Sequence, residues 1–285
     1  MKNIIFSVYV EIPEEELDNP GGFSNKTGLQ KKSKKSTIAK ESFKKYFTSL
    51  AAEQSFYATG IGADYRLFGD REFQVYKLKF QNMYPQISVY DIVNFYKHYL
   101  MYSLSSLYDN VCYLDFDVIP HTDENIFDAF DKDKFAIAEN NSEAIWGKTI
   151  EHKWYNTCIR NPATKYWNAH AMLLEEGYDP DTDVFNTGIM VASSAVIKQL
   201  DYFENFDDVI KLMTNLKEDP DSMYPKNIQR VFNYDNETIF AYNIVTKGVP
   251  IDYIGRDWHC VVVGKNYDKY AKMYHVINKR FGDFF

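Results

Sequence analysis

Val111-Cys112-Tyr113-Leu114-Asp115-Phe116-Asp117 decides the fold. Its first four residues form an apolar run too short for a helix and read as a strand buried on both faces. Upstream, 90–107 reads as a long helix entered near Ser88 or Asp91, with Asn110 closing it. A buried strand between a helix and a turn is typical of a parallel sheet in an α/β domain.

Asp115 and Asp117 follow that strand. Ligands of open α/β sheets bind beyond the carboxyl ends of strands. Side chains two apart on an extended segment point to the same side, so both carboxylates can face one cation. Hard cations such as Mg²⁺ or Mn²⁺ take oxygen ligands and share them with substrate phosphates. Asp-x-Asp on its own is common and often just ends a strand at the surface. The apolar strand and long helix before it favour a site.

Outward from this point, 3–10 is a β-branched and aromatic run, read as the first strand. The stretch 18–35 carries Pro20, Gly21, Gly22 and Gly28 and reads as a loop. Ser36 or Thr37 caps a helix to about Tyr57, and 65–68 is a second strand. Strands are expected at 135–138 and 184–192, and helices at 194–216 and 237–247. The irregular stretch 139–183, rich in Asn, Trp and His, is expected to be a peripheral insertion covering the site. The tail after Asp257 has no strong period. Without internal repeats or a low-complexity linker, 1–285 reads as a single domain.

Composition narrows the function. Hydrophobic residues at 45% and charged residues at 25% suit an ordinary globular chain, and 285 residues are enough to bury a core. The 23 Tyr and 21 Phe are read mostly as core, with some tyrosines available to a polar cleft. A net charge of −8 argues against nucleic-acid binding, which needs clustered cations. The basic run of Lys31, Lys32, Lys34 and Lys35 reads as a solvated loop. Cys112, Cys158 and Cys260 form neither a disulfide framework nor a CxxC site, which fits a reducing, cytoplasmic setting. Residues 1–10 lack a cleavage site and lead into Glu11, Glu14, Glu15 and Glu16, unlike a signal peptide. No segment approaches the roughly 18 apolar residues of a membrane span.

From Tyr90 onward the sequence resembles the GT-A fold glycosyltransferases, above all the family 8 enzymes related to glycogenin and the bacterial galactosyltransferases. Tyr108-Asp109-Asn110-Val111-Cys112-Tyr113-Leu114-Asp115-Phe116-Asp117 is similar to the family's Tyr-Asp-x-Val-x-Tyr-Leu-Asp-x-Asp run. Lys97 stands where the family carries a basic residue, often Arg, near the donor. Val184-Phe185-Asn186-Thr187-Gly188-Ile189-Met190 resembles its Phe-Asn-Ser/Ala-Gly-Val-Met segment. Asn186 offers donor and acceptor to sugar hydroxyls, and Gly188 permits close approach of a substrate or backbone. Asp235-Asn236-Glu237 resembles Asp-Gln-Asp, with Asn for Gln and Glu for the second Asp. These residues are equally good helix caps. His275-Val276-Ile277-Asn278-Lys279-Arg280 resembles the His-x-x-Gly-x-x-Lys segment, without its Gly and Pro-Trp.

The resemblance implies a Rossmann-like mixed central sheet flanked by helices and a metal-dependent transfer of a sugar, with retention, from a nucleoside diphosphate donor. The donor expected is a UDP-hexose and the acceptor a hydroxyl on a glycan or another molecule. It implies Mn²⁺ or Mg²⁺ held by Asp115, Asp117 and His275, with His259 the competing third ligand. Tyr9, Val10, Lys97, Asp115, Asn186, Thr187, Gly188 and Lys279 are the expected donor contacts, Arg280 being the alternative to Lys279. Asp235, Asn236 and Glu237 are the expected catalytic group, Asp235 and Glu237 being candidates should a covalent intermediate form. Two other readings compete. Asp-x-Asp also serves nucleotidyltransferases and phosphohydrolases, although Gly21-Gly22 with Lys26 is too loose for a phosphate loop. A non-catalytic sugar-binding protein on the same fold is the other.

Overall fold

The computed structural model describes residues 1–12, 34–140, 162–229, 232–262 and 267–285. In chain order the elements are β1 (Asn3–Val8), α1 (Lys34–Gly60), β2 (Asp64–Phe68), α2 (Asp70–Met83), α3 (Val89–Leu104), β3 (Asn110–Leu114), β4 (Val118–Pro120), α4 (Ile126–Ala129), β5 (Phe135–Glu139), α5 (Pro162–Glu175) and β6 (Phe185–Ser193). There follow α6 (Ser194–Leu200), α7 (Phe206–Glu218), α8 (Lys226–Gln229), α9 (Asn236–Lys247), β7 (Ile251–Tyr253), β8 (Cys260–Val261), β9 (Met273–His275) and a 3-10 turn at Phe281–Asp283.

Six strands form a mixed sheet in the order β2-β1-β3-β6-β5-β7. Only β6 runs against its neighbours; the β1–β2, β1–β3 and β5–β7 pairs are parallel. Successive side chains of a strand alternate between faces, and here both faces are covered. Ile4, Phe6, Val111, Tyr113, Ile137 and Met190 pack into one core with the α3, α6, α7 and α9 side chains. Ile5, Cys112, Leu114, Ala136, Ile189 and Val191 face a second core closed by Tyr57, Phe127 and Trp258. That double burial is why Val111–Leu114 shows no polar alternation. A second sheet, β4-β9-β8, carries the carboxyl-terminal strands.

One buried side chain ties these parts together. Gln54, on α1, is fully buried and accepts from Ser7 Oγ at 2.6 Å and Tyr65 Oη at 3.0 Å. Its amide nitrogen donates to the carbonyls of Asp115 (3.0 Å) and Val118 (2.8 Å). Gln54→Leu strands all four partners, so we expect a loss of about 2–4 kcal/mol, summing several unsatisfied buried groups. A urea titration of both proteins measures it, and a loss under ~0.5 kcal/mol would contradict the network.

Several sequence expectations change. Asn110 does not close the helix, which ends at Leu104; it opens β3, its side chain donating to Asn3 Oδ1 across the sheet. The first helix begins at Lys34, so Ser36 and Thr37 lie inside it. The helix expected over 194–216 is two, broken where Asp201 takes a positive φ of 27°. Within 139–183, Pro162–Glu175 is helical, and 141–161, with Cys158, lies outside the described residues. So do Gly21, Gly22, Lys31 and Lys32. Among the described residues no helix is long and apolar enough to cross a membrane.

Candidate active site

Strand pairing brings the site together. Because β6 is antiparallel to β3, its amino end lies beside the carboxyl end of β3, with Leu114 opposite Ile189 and Asp115 N–H donating to Gly188 O at 2.7 Å. Asp115–Val118 is a turn, closed by Val118 N–H to Asp115 O at 2.9 Å, and not the extended segment the i, i+2 argument assumed. The two carboxylates converge all the same. In the second sheet β4 pairs antiparallel with β9, setting Val118 opposite His275, while Val276 N–H donates to Asp117 O. Three segments far apart in sequence thus meet at one point.

Ligand atoms of Asp115, Asp117 and His275 all lie within 4.8 Å of one another. His275 Nε2 is 3.5 Å from Asp115 Oδ2 and 3.5 Å from Asp117 Oδ2. Two ammonium groups complete the cluster. Lys97, almost fully buried, reaches Asp115 Oδ1 at 3.7 Å and donates to Thr187 O at 3.1 Å. Lys279 donates to Asp117 Oδ2. Burial alone would raise the Asp117 carboxyl pKa, but Lys279 and His275 outweigh it and hold it well below its ordinary value. Asp117 is therefore ionised throughout the neutral range. Tyr113, its phenol pushed up by burial and then by Asp115, stays protonated and donates to Asp115 Oδ1 at 2.6 Å.

His259, the competing third ligand, stands behind His275. Its Nε2 is 2.8 Å from His275 Nδ1, and its own Nδ1 is buried with no hydrogen-bond partner among the described residues. Burial, then the neighbouring His275, lowers its pKa well below the usual value, so it is neutral.

The other expected residues fall at varied distances from this centre. Gly188 makes room chiefly for His275: a Cβ there would lie 2.4 Å from His275 Cε1. Asn186 Oδ1 accepts from Gly188 N–H at 2.9 Å. Glu237 Oε1 accepts from Thr187 N–H and Thr187 Oγ, and its Oε2 takes the Asn140 amide at 3.4 Å. Asn236 donates to Thr187 Oγ at 2.9 Å and lies 3.3 Å from His98 Nε2. Asp235 caps α9, accepting from Glu237 N–H and Thr238 N–H. The Tyr9 ring packs on Phe116, between the two aspartates, and lines a cleft of about 630 Å³ with Glu11, Lys44 and Asp70. Val10 is half-buried against the main core.

Sequence reading did not single out Gln54 or His98, took Tyr113 as part of the strand motif without its bond to Asp115, and gave His259 another role. No spacing signal marks Gln54 or His98, each placed by tertiary contact alone.

No family model and no curated protein matches the sequence. Among solved structures, similar chains include the apo form of mouse xyloside xylosyltransferase 1, at 10% identity and TM-score 0.46, covering 97% of this chain and 98% of that one. A glycosyltransferase involved in glycosylation of the major capsid of PBCV-1 aligns at 12% identity and TM-score 0.40, covering 96% and 93%. The galactosyltransferase LgtC, in complex with donor and acceptor sugar analogues, aligns at 13% and 0.40, covering 96% and 87%. At such identities and TM-scores the likeness carries no argument about chemistry.

Proposed function

We propose that this chain is a metal-dependent glycosyltransferase of the GT-A kind, moving a hexose from a UDP-sugar to an acceptor hydroxyl with retention. The observation that carries the reading is the convergence of Asp115, Asp117 and His275 at the carboxyl end of β3, flanked by Lys97 and Lys279. The donor set fits a divalent cation: two carboxylates suit Mn²⁺ or Mg²⁺, and the imidazole favours Mn²⁺. Such a cation, when bound, neutralises charge developing on a departing diphosphate.

The residues of the chain supply the rest. Lys97 and Lys279 balance the charge of the two aspartates, so a cation arriving alone meets little net negative charge. The site therefore favours cation and diphosphate together. Lys279, partly exposed, is the ammonium able to turn from Asp117 to a phosphate oxygen, and such electrostatic stabilisation is usually the largest catalytic contribution. Tyr9 and its cleft offer a surface for the nucleoside beside Phe116. Asn186, whose Oδ1 takes the Gly188 N–H, offers its amide nitrogen to the sugar, and Asn236, whose nitrogen is held by Thr187 and His98, offers its carbonyl oxygen. Asp235 and Glu237 are both committed to hydrogen bonds within the fold. This supports attack by the acceptor hydroxyl on the face the phosphate leaves, without a covalent enzyme intermediate.

Incubation with Mn²⁺ and a panel of UDP- and GDP-sugars tests the proposal. We expect one UDP-hexose to be turned over to UDP, and chelation with EDTA to stop it. Binding without turnover would mark a sugar-binding protein, and release of phosphate from nucleotides carrying no sugar would mark a phosphohydrolase.

A further inference from the structure

A histidine that ligates a metal through one ring nitrogen must carry its proton on the other. His275 presents Nε2 to Asp115 and Asp117, so ligation there requires a proton on Nδ1. The Nδ1 of metal-binding histidines usually donates to a carboxylate, a backbone carbonyl or water. In this chain the atom facing it is Nε2 of a second imidazole, His259, at 2.8 Å.

The pair therefore has two arrangements. In one, His259 Nε2–H donates to His275 Nδ1 and the His275 proton sits on Nε2, pointing at the two carboxylates. That arrangement suits the cluster without a cation and blocks ligation. In the other, the His259 Nε2 proton has passed to His275 Nδ1, which donates back to His259 Nε2; His259 has taken up a proton on Nδ1, and the His275 Nε2 proton has left to solvent as the cation arrives, freeing that lone pair. A neutral imidazole has one donor and one acceptor nitrogen, so neither ring can change without the other.

We infer that His259 is a positioning residue for the metal centre, accepting the Nδ1 proton of His275 and so setting which nitrogen of His275 is free to bind the cation. This rests on the metal-centre reading above and adds a coupled tautomer exchange between two buried imidazoles. The geometry around the pair limits other ways of satisfying His275. The ring is buried, Gly188 leaves no space beside it, and its backbone is fixed by β9 pairing with β4.

The test is the affinity for Mn²⁺, alone and with UDP present, followed by the electron paramagnetic resonance of the free ion. His259→Leu, which cannot accept, should weaken binding by roughly 10–100-fold, the range for lost outer-shell partners. His259→Gln, whose amide oxygen can accept from Nδ1–H, should restore binding to within a few-fold of the parent. In a His275→Ala background, His259→Leu should have no further effect, as a general packing defect would not predict. Two-bond ¹⁵N–¹H spectra of the unaltered protein with Zn²⁺, a diamagnetic probe, should show His275 protonated at Nδ1 and His259 unprotonated at Nε2. These spectra decide the matter even if the leucine variant does not fold. Equal Mn²⁺ affinity in a folded His259→Leu protein, or a His275 unprotonated at Nδ1 with Zn²⁺ bound, overturns the inference and leaves the metal centre standing. Failure of the unaltered protein to bind Mn²⁺ both alone and with UDP present overturns both.

Discussion

Asp117→Asn is expected to lower the proposed metal-dependent sugar transfer by roughly 10²–10³-fold or more, the scale of removing one well-placed electrostatic group from a catalytic centre. Asp117 is the most constrained member of the cluster. It is buried, ionised by the influence of Lys279 and His275, and it shares its Oδ2 between the Lys279 ammonium and a contact 3.5 Å from His275 Nε2. An asparagine keeps the shape and loses the charge. Whichever way its amide is turned, it offers the cation one neutral oxygen, and its N–H₂ group has to lie near other donors.

The fold should survive this change. Removing one partner of a buried ion pair typically costs about 3–5 kcal/mol because the other charge is left stranded. Lys279 is not deeply stranded, since its side chain is 22% exposed and can turn to water. The loss should fall at or below the bottom of that range. Thermal melts and initial rates with saturating Mn²⁺ separate the two effects. A folded variant with rates within twofold of the parent would remove Asp117 from the centre.

How much of this was legible in the sequence depends on what kind of contact each residue makes. Tyr113-Leu114-Asp115-Phe116-Asp117 could be read because local pattern alone makes a buried strand followed by acids. The expected strands lie within two residues of β1, β2, β3, β5 and β6, while β4 and β7, of three residues each, were not seen; α9 with its Asp235 cap was anticipated to within a residue. The helix α2 was not seen. It buries only Phe73 and Phe80, and its start at Gly69 has no side-chain cap. The carboxyl-terminal strands have two or three residues each, too few to show any period. The break at Asp201 was missed because the apolar residues on either side continue a helical rhythm across it. Of the site, identities came through better than roles. His275 and His259 were both candidates for one task, and only the register of β9 against β4 shows which faces the carboxylates. Gln54 and Lys97 hold the site by reaching buried carbonyls, a property that depends on where the backbone lies in space.

Gly188→Ala is the sharpest steric probe of the centre. The backbone at Gly188 does not take a positive φ, so alanine is not excluded there by conformation; only space is at stake. An added Cβ would lie 2.4 Å from His275 Cε1, 2.8 Å from His275 Nδ1 and 2.9 Å from Asn186 Oδ1. No real Cβ tolerates such contacts, so something must move. His275 is ill placed to yield, since its Nδ1 faces His259 and its strand is paired with β4. The ring has to rotate away from the carboxylates, or β6 has to part from β3. Either response enlarges the triangle of ligand atoms. We expect a stability loss of about 1–3 kcal/mol, typical of overpacking a close-fitted interior. We expect Mn²⁺ affinity to fall on the order of 10–100-fold, as when a metal ligand loses its support. Gly60→Ala is the matched control, for a Cβ there meets nothing within 4 Å. If Gly188→Ala binds Mn²⁺ as tightly as Gly60→Ala, His275 has room to spare and is not held against the aspartates by the close approach of β6.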